Sequence, residues 1–167
     1  VAFYSQITAA TLAGLGINLN FAPVVDLAAN PDNPIIAKVE RAFSKNADMV
    51  ALYAQAFIRE HNRLGVLTAL KHFPGHGDTS IDSHYGLAVS SAGRERLERV
   101  ELPPFRAAIE AGADAVMTAH ITAPAIESEA IPATVSRAVL TDLLRVQMGF
   151  RGIVVTDAMD MQGLAGQ

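Results

Sequence analysis

The sequence contains no cysteine and no tryptophan. Without cysteine it forms neither a disulfide framework nor a thiolate metal site. It also lacks any run of about 18 apolar residues, so no membrane span is expected. Charge of one sign is not concentrated either: 13 Lys and Arg stand against 17 Asp and Glu, for a net charge of −4. No basic stripe interleaved with aromatic residues appears, which argues against nucleic-acid binding. The start, Val1-Ala2-Phe3-Tyr4-Ser5, shows neither an initiator methionine nor a signal peptide. Both ends are expected to be cut from a longer chain, which leaves the compartment, the oligomeric state and any second domain open.

What is present is apolar. Half of the residues are hydrophobic and 18% are charged, the balance of a globular protein with a substantial core. One pattern repeats four times: an amphipathic helix, a glycine, then a short apolar strand. Helices are predicted over 4–14, 47–63, 103–111 and 138–148, each stopped near a glycine: Gly16, Gly65, Gly112 and Gly149. The strands are Ile17–Phe21, Val66–Lys71, Ala115–His120 and Ile153–Asp157. They read as continuous apolar runs, as parallel strands covered on both faces do. Met117, Met148, Met159 and Met161 read as packing residues.

Alternation of helix and strand predicts an α/β fold with a parallel sheet. No G-x-G-x-x-G follows any of these strands, so an open nucleotide-binding sheet loses its main signature. Asp26, Lys71-His72, His120 and Asp157 fall at or just beyond strand C-termini, where barrel enzymes carry their chemistry. The favoured reading is the central part of a TIM-like (β/α)8 barrel. About four βα units are present, and a complete barrel takes about 250 residues. Residues 1–167 are therefore read as one incomplete barrel domain, not expected to be active alone.

Between Lys71 and His84 lie three histidines, one lysine, two aspartates and two glycines. Lys71 and His72 are strand neighbours, so their side chains point to opposite faces unless the strand is already ending. Asp82 and His84 are close enough for a carboxylate–imidazole hydrogen bond, which fixes a tautomer and suits a general acid/base. The same residues also fit a metal site, although H-E-x-x-H is absent, or a loop rich in turn formers. Asp157 fits a nucleophile held by a buried strand, and equally a helix N-cap. Asp26 reads as a loop-fixing carboxylate that accepts backbone N–H groups. His120 either lines the site or satisfies a core hydrogen bond. Arg41, taken alone, reads as a solvated loop residue, and Asn30-Pro31-Asp32-Asn33-Pro34 as a turn.

Several segments, in order, resemble glycoside hydrolase family 3 across nearly the whole chain. They are Gly16 to Asp26 (G-I-N-L-N-F-A-P-V-V-D), Arg41-Ala42-Phe43-Ser44, Lys71 to Thr79 (K-H-F-P-G-H-G-D-T) with Asp82-Ser83-His84, and Val154 to Met159 (V-V-T-D-A-M). The likeness is to the β-N-acetylglucosaminidase branch. It implies a TIM-like barrel and a retaining double displacement on an oligosaccharide, with no cofactor and no metal. By the same resemblance Asp157 is the nucleophile, His84 the acid/base with Asp82 as its partner, and Arg41, Lys71 and His72 the sugar-hydroxyl ligands. The family's upstream D-Q-E-G-G-R is absent, and its usual R-S-F reads Arg41-Ala42-Phe43. A histidine donor in place of a second carboxylate repels an anion less, so phosphate is a conceivable acceptor beside water. A β-glucosidase or β-xylosidase, a non-catalytic carbohydrate-binding remnant and a metal-dependent hydrolase remain the rival readings.

Overall fold

The computed structural model describes residues 1–164; the last three residues of the expected 1–167 domain lie outside the described residues. Helix α1 (Ala2–Gly14) precedes strand β1 (Leu19–Asn20), and α2 (Ala47–Arg63) precedes β2 (Leu67–Phe73). After the short β3 (Ala88–Val89) come α3 (Arg94–Arg96), a π-helical turn (Leu97–Glu101) and α4 (Leu102–Glu110). Strands β4 (Ala115–Thr118) and β5 (Ile121–Thr122) follow, then a π-helix (Ala138–Gln147) and β6 (Ile153–Thr156). A four-stranded parallel sheet is ordered β1-β2-β4-β6, so each helix crosses to the next parallel strand. The expected βα succession is present four times, with all four C-terminal strand ends on one side.

Local chemistry accounts for most boundaries. Asn46 caps α2 by accepting from the Met49 N–H at 3.0 Å, and Asp48 lies in the first turn. Val50, Ala54, Ile58 and His61 form the buried face, at helical spacing. Ser136 Oγ accepts from the Val139 N–H at 3.2 Å, just ahead of the π-helix. Gly16, Gly65, Gly112 and Gly149 all have positive φ at the helix-to-strand joints, a conformation that costs glycine little.

Four expectations need correction. The helix expected over 103–111 is the end of a longer helical stretch from Arg94. Its added turns are polar, carried by the ion pairs Arg94–Glu98, Arg99–Glu95 and Arg106–Glu98, so no apolar periodicity marks them. β1 is shorter than Ile17–Phe21, although the chain runs beside β2 through Val24. Pro23 has no N–H to give the ladder, and its carbonyl accepts from Lys71 N at 3.2 Å. β4 is fully buried as expected, but β6 is not: Ile153 is 52% exposed, because β6 is an edge of the described sheet. Met159 is exposed rather than packed. A parallel pairing of β3 with β5 has no counterpart in the sequence reading.

The core lies between the sheet and α2 and α4, where Phe73 and Phe105 meet edge to face with centroids 5.2 Å apart. Such a pair adds about 1 kcal/mol to the burial of its rings. Among the described residues no helix is long and apolar enough to cross a membrane.

Candidate active site

The C-terminal ends of the chain beside β1, of β2 and of β6 place Asp26, Lys71, His72 and Asp157 at one end of the sheet. At its base is Asp26, fully buried. Its Oδ2 accepts from the His72 backbone N–H at 2.9 Å and faces His72 Nδ1 at 2.7 Å, while Oδ1 accepts from the His76 N–H at 2.7 Å. Burial alone raises a carboxyl pKa, but the contacts with His72 and His76 outweigh it and hold Asp26 below its ordinary value. Asp26 is thus a loop-fixing carboxylate, as its backbone donors require, and it also orients a ring. Because Nδ1 faces a carboxylate, it carries a proton, and Nε2 faces the guanidinium of Arg41 at 3.4 Å.

Lys71 and His72 do not diverge as strand neighbours do. The register of β2 against β4 shifts between Leu70 and Phe73, which breaks the strand alternation at this pair. Both side chains belong to the same cluster. Burial and the Arg41 charge push the Lys71 amine below its ordinary pKa, against the opposing pull of Asp157 and Asp26. Arg41 is not a solvated loop residue: it is half-buried and tied to the Ile35 carbonyl at 3.1 Å. Arg41, Lys71 and His72 therefore form a polar, partly desolvated group beside two carboxylates.

The loop after β2 is built around His76, which is fully buried. Its Nδ1 meets Thr79 Oγ1 at 2.6 Å and its Nε2 meets Ser83 Oγ at 3.1 Å. Burial depresses its pKa, favouring the neutral ring. Buried Asn33 braces the same loop, giving its amide to the carbonyls of His76 (2.7 Å) and Thr79 (3.0 Å). Its Oδ1 accepts from the N–H groups of Ile35 and Ile36. At the loop's far side Arg96 bridges Asp78 (3.4 Å) and Glu101 (3.2 Å). Burial raises the Glu101 pKa, and its Oε2 has no hydrogen-bond partner.

Asp82 and His84 are paired as the sequence predicts. Asp82 Oδ1 accepts from the His84 N–H at 2.9 Å and faces His84 Nδ1 at 2.6 Å. Burial acts to raise the Asp82 pKa, and the backbone and ring contacts from His84 bring it below its ordinary value. With Nδ1 engaged, His84 Nε2 makes no hydrogen bond among the described residues, on a side chain that is 54% exposed.

Asp157 follows β6, its N–H directed at the Thr118 carbonyl (3.3 Å) and its Oδ1 accepting from the Ala158 N–H (2.9 Å). This bond to the very next N–H is not the capping bond to the second or third residue on, and no α-helix follows; the chain turns into a short 3₁₀ segment, Gln162–Leu164. Among the described residues no hydrogen bond joins Asp157 to Asp82 or His84. Backbone contacts link the two regions instead: Gly163 N–H to the Ser83 carbonyl at 2.9 Å, and Gln162 N–H to the His84 carbonyl at 3.4 Å. His120 is buried, with Thr134 on one ring nitrogen and the Ala158 carbonyl on the other.

Asn33, Arg96 and Gly163 escaped the sequence reading. Only the Asn/Pro-rich stretch around Asn33 offered a signal, and that signal says turn, not partner. Among the described residues no group of three or more His, Asp and Glu is arranged to hold a metal ion.

The sequence profile of the glycosyl hydrolase family 3 N-terminal domain matches residues 2–167. The chain is 43% identical over 165 residues to beta-hexosaminidase A of Pseudoalteromonas piscicida, covering 92% of this chain and 27% of that protein. It is 41% identical over 163 residues to a beta-hexosaminidase of Xylella fastidiosa strain M23, covering 98% of this chain and 47% of that protein. It therefore spans less than half the length of either relative. A solved structure of a glycoside hydrolase family 3 beta-N-acetylglucosaminidase from Paenibacillus sp. str. FPU-7 superposes with a TM-score of 0.93 at 46% identity, over 96% of this chain and 30% of that one. With the parallel βα architecture and the residues gathered at its strand ends, these matches show that the chain belongs to glycoside hydrolase family 3.

Proposed function

We propose that this chain carries the catalytic residues of a retaining exo-β-N-acetylglucosaminidase acting on cell-wall-derived or related oligosaccharides. The observation that supports it most is the Asp82–His84 pair at 2.6 Å, joined through backbone contacts to the turn that follows Asp157. The beta-hexosaminidase names of the relatives support the choice of sugar.

The groups divide the reaction between them. A carboxylate oxygen of Asp157 attacks the anomeric carbon as the glycosidic C–O bond breaks. The departing oxygen takes its proton from Nε2 of a protonated His84, whose Nδ1 stays directed at Asp82. The ring, now neutral, accepts a proton from water, which attacks the anomeric carbon and breaks the ester to Asp157. Two inversions restore the β configuration and both residues. Arg41 and Lys71, with His72 oriented by Asp26, bind sugar hydroxyls and hold the ring for attack.

The full-length protein is to be assayed side by side on p-nitrophenyl N-acetylglucosaminide, glucoside and xyloside, with and without phosphate. Preferred hydrolysis of the N-acetylglucosaminide, abolished by Asp157→Ala, is the expected result. Faster release from the glucoside or xyloside replaces the sugar assignment. Binding without turnover identifies a carbohydrate-binding remnant, and loss of activity to chelators a metal-dependent hydrolase.

A further inference from the structure

The reading of Asp157 as nucleophile leaves unexplained why a buried histidine sits behind it. We propose that His120 is a positioning residue for Asp157, acting through the backbone of Ala158; this rests on the nucleophile assignment above.

Ala158 is held from both sides. Its N–H donates to Asp157 Oδ1 at 2.9 Å, which leaves Oδ2 as the oxygen to attack. Its carbonyl accepts from His120 Nε2 at 2.9 Å and from the Met161 N–H at 3.2 Å. A carbonyl only accepts, so Nε2 carries a hydrogen. The other ring nitrogen, Nδ1, lies 2.8 Å from Thr134 Oγ1. Thr134 has one hydroxyl proton and two acceptors within reach, Nδ1 and the Ala119 carbonyl at 3.0 Å. Whichever takes that proton, the Nε2–H stays directed at Ala158.

The anchor is rigid at its far end. Thr134 Oγ1 accepts from Thr118 Oγ1 at 3.0 Å, and Thr118 belongs to the fully buried β4. Its own carbonyl receives the Asp157 N–H. Thr118 therefore fixes Asp157 twice, directly through the sheet ladder and again through Thr134, His120 and Ala158. Gly163 packs against the base of His120: a Cβ built there would lie 3.1 Å from the His120 Cβ and 3.1 Å from its carbonyl oxygen. This chain of bonds adds to the β6 ladder in restraining the turn that carries Asp157.

The test separates the two ring nitrogens. In the full-length protein His120→Gln places an amide N–H where Nε2 was, whereas His120→Asn reaches only the Nδ1 position. Covalent labelling by a fluorinated N-acetylglucosaminyl fluoride is followed by mass spectrometry, alongside kcat, KM and Tm. His120→Asn is expected to slow labelling by about 50-fold with KM nearly unchanged, the order of loss an ångström of misplacement produces. His120→Gln is expected to stay within about 5-fold of the unsubstituted protein. Labelling of His120→Asn at the unsubstituted rate, or equal losses in both variants at equal Tm, overturns the proposal. If His120→Asn does not fold, Thr134→Val decides: about 5-fold slower labelling is expected, and an unchanged rate overturns it. Labelling of the unsubstituted protein at a residue other than Asp157 refutes the nucleophile assignment instead, so the two failures are distinguishable.

Discussion

Gly163 gives its backbone N–H to the carbonyl of Ser83 at 2.9 Å, which joins the turn after Asp157 to the loop that carries Asp82 and His84. The approach leaves no room for a side chain, since a Cβ on Gly163 would lie 2.8 Å from that carbonyl oxygen. Gly163→Ala is therefore predicted to push the two regions apart. We expect kcat of the full-length protein to fall by about 10- to 100-fold while Tm moves by only a few degrees. Steady-state kinetics with parallel thermal melts checks the separation of the two effects.

The exposed Nε2 of His84 predicts a dependence on the leaving group. On the proposed roles, replacing His84 with alanine removes the proton donor and spares the nucleophile. Substrates with poor leaving groups are expected to lose about 10²- to 10⁴-fold in kcat/KM. An activated dinitrophenyl glycoside, which departs without a proton, is expected to lose far less in its first step. A uniform loss across a leaving-group series contradicts the role given to His84.

Asp26 makes a prediction about pH. Its folded-state pKa lies below the ordinary 3.8, so its contribution to stability is fully present above that value. The contribution is lost as pH falls through the depressed folded value. Asp26→Asn removes this dependence and leaves the donors around it poorly matched, at a cost of about 3 kcal/mol near pH 7. Urea unfolding of both proteins at neutral and acid pH checks this, and the gap between them is expected to narrow as pH falls below the ordinary value.

Gly77 lies against the backbone of Leu27, where an added Cβ would come within 2.0 Å of the carbonyl oxygen. Neither partner is a flexible side chain, so Gly77→Ala is predicted to cost about 3 kcal/mol or more. Chemical denaturation measures it. A near-neutral effect would mean that the loop relaxes away from Leu27.

Part of this architecture was legible in the sequence. The βα succession was, because Gly65 and Gly112 stop helices whose apolar spacing is regular. The Asp82–His84 pair was as well, because its partners are two residues apart. The exposure of Ile153 was not: Ile153-Val154-Val155 reads as a buried run, and β6 is the last strand of the described sheet. Arg41 looked solvated for a similar reason, since its contact with His72 spans thirty-one residues. Asn33 and Gly163 act entirely through such distant contacts, which a single sequence does not display. His120 fitted two readings equally until its partners, Thr134 and Ala158, were placed.

If Asp157 is the nucleophile, it becomes covalently glycosylated during turnover. The most direct measurement is to trap the intermediate in the full-length protein with a fluorinated N-acetylglucosaminyl fluoride and map the modified peptide by mass spectrometry. A single adduct on Asp157, absent from Asp157→Asn, is the expected result. An adduct on another residue, or turnover of the N-acetylglucosaminide by Asp157→Asn at the unsubstituted rate, would contradict it.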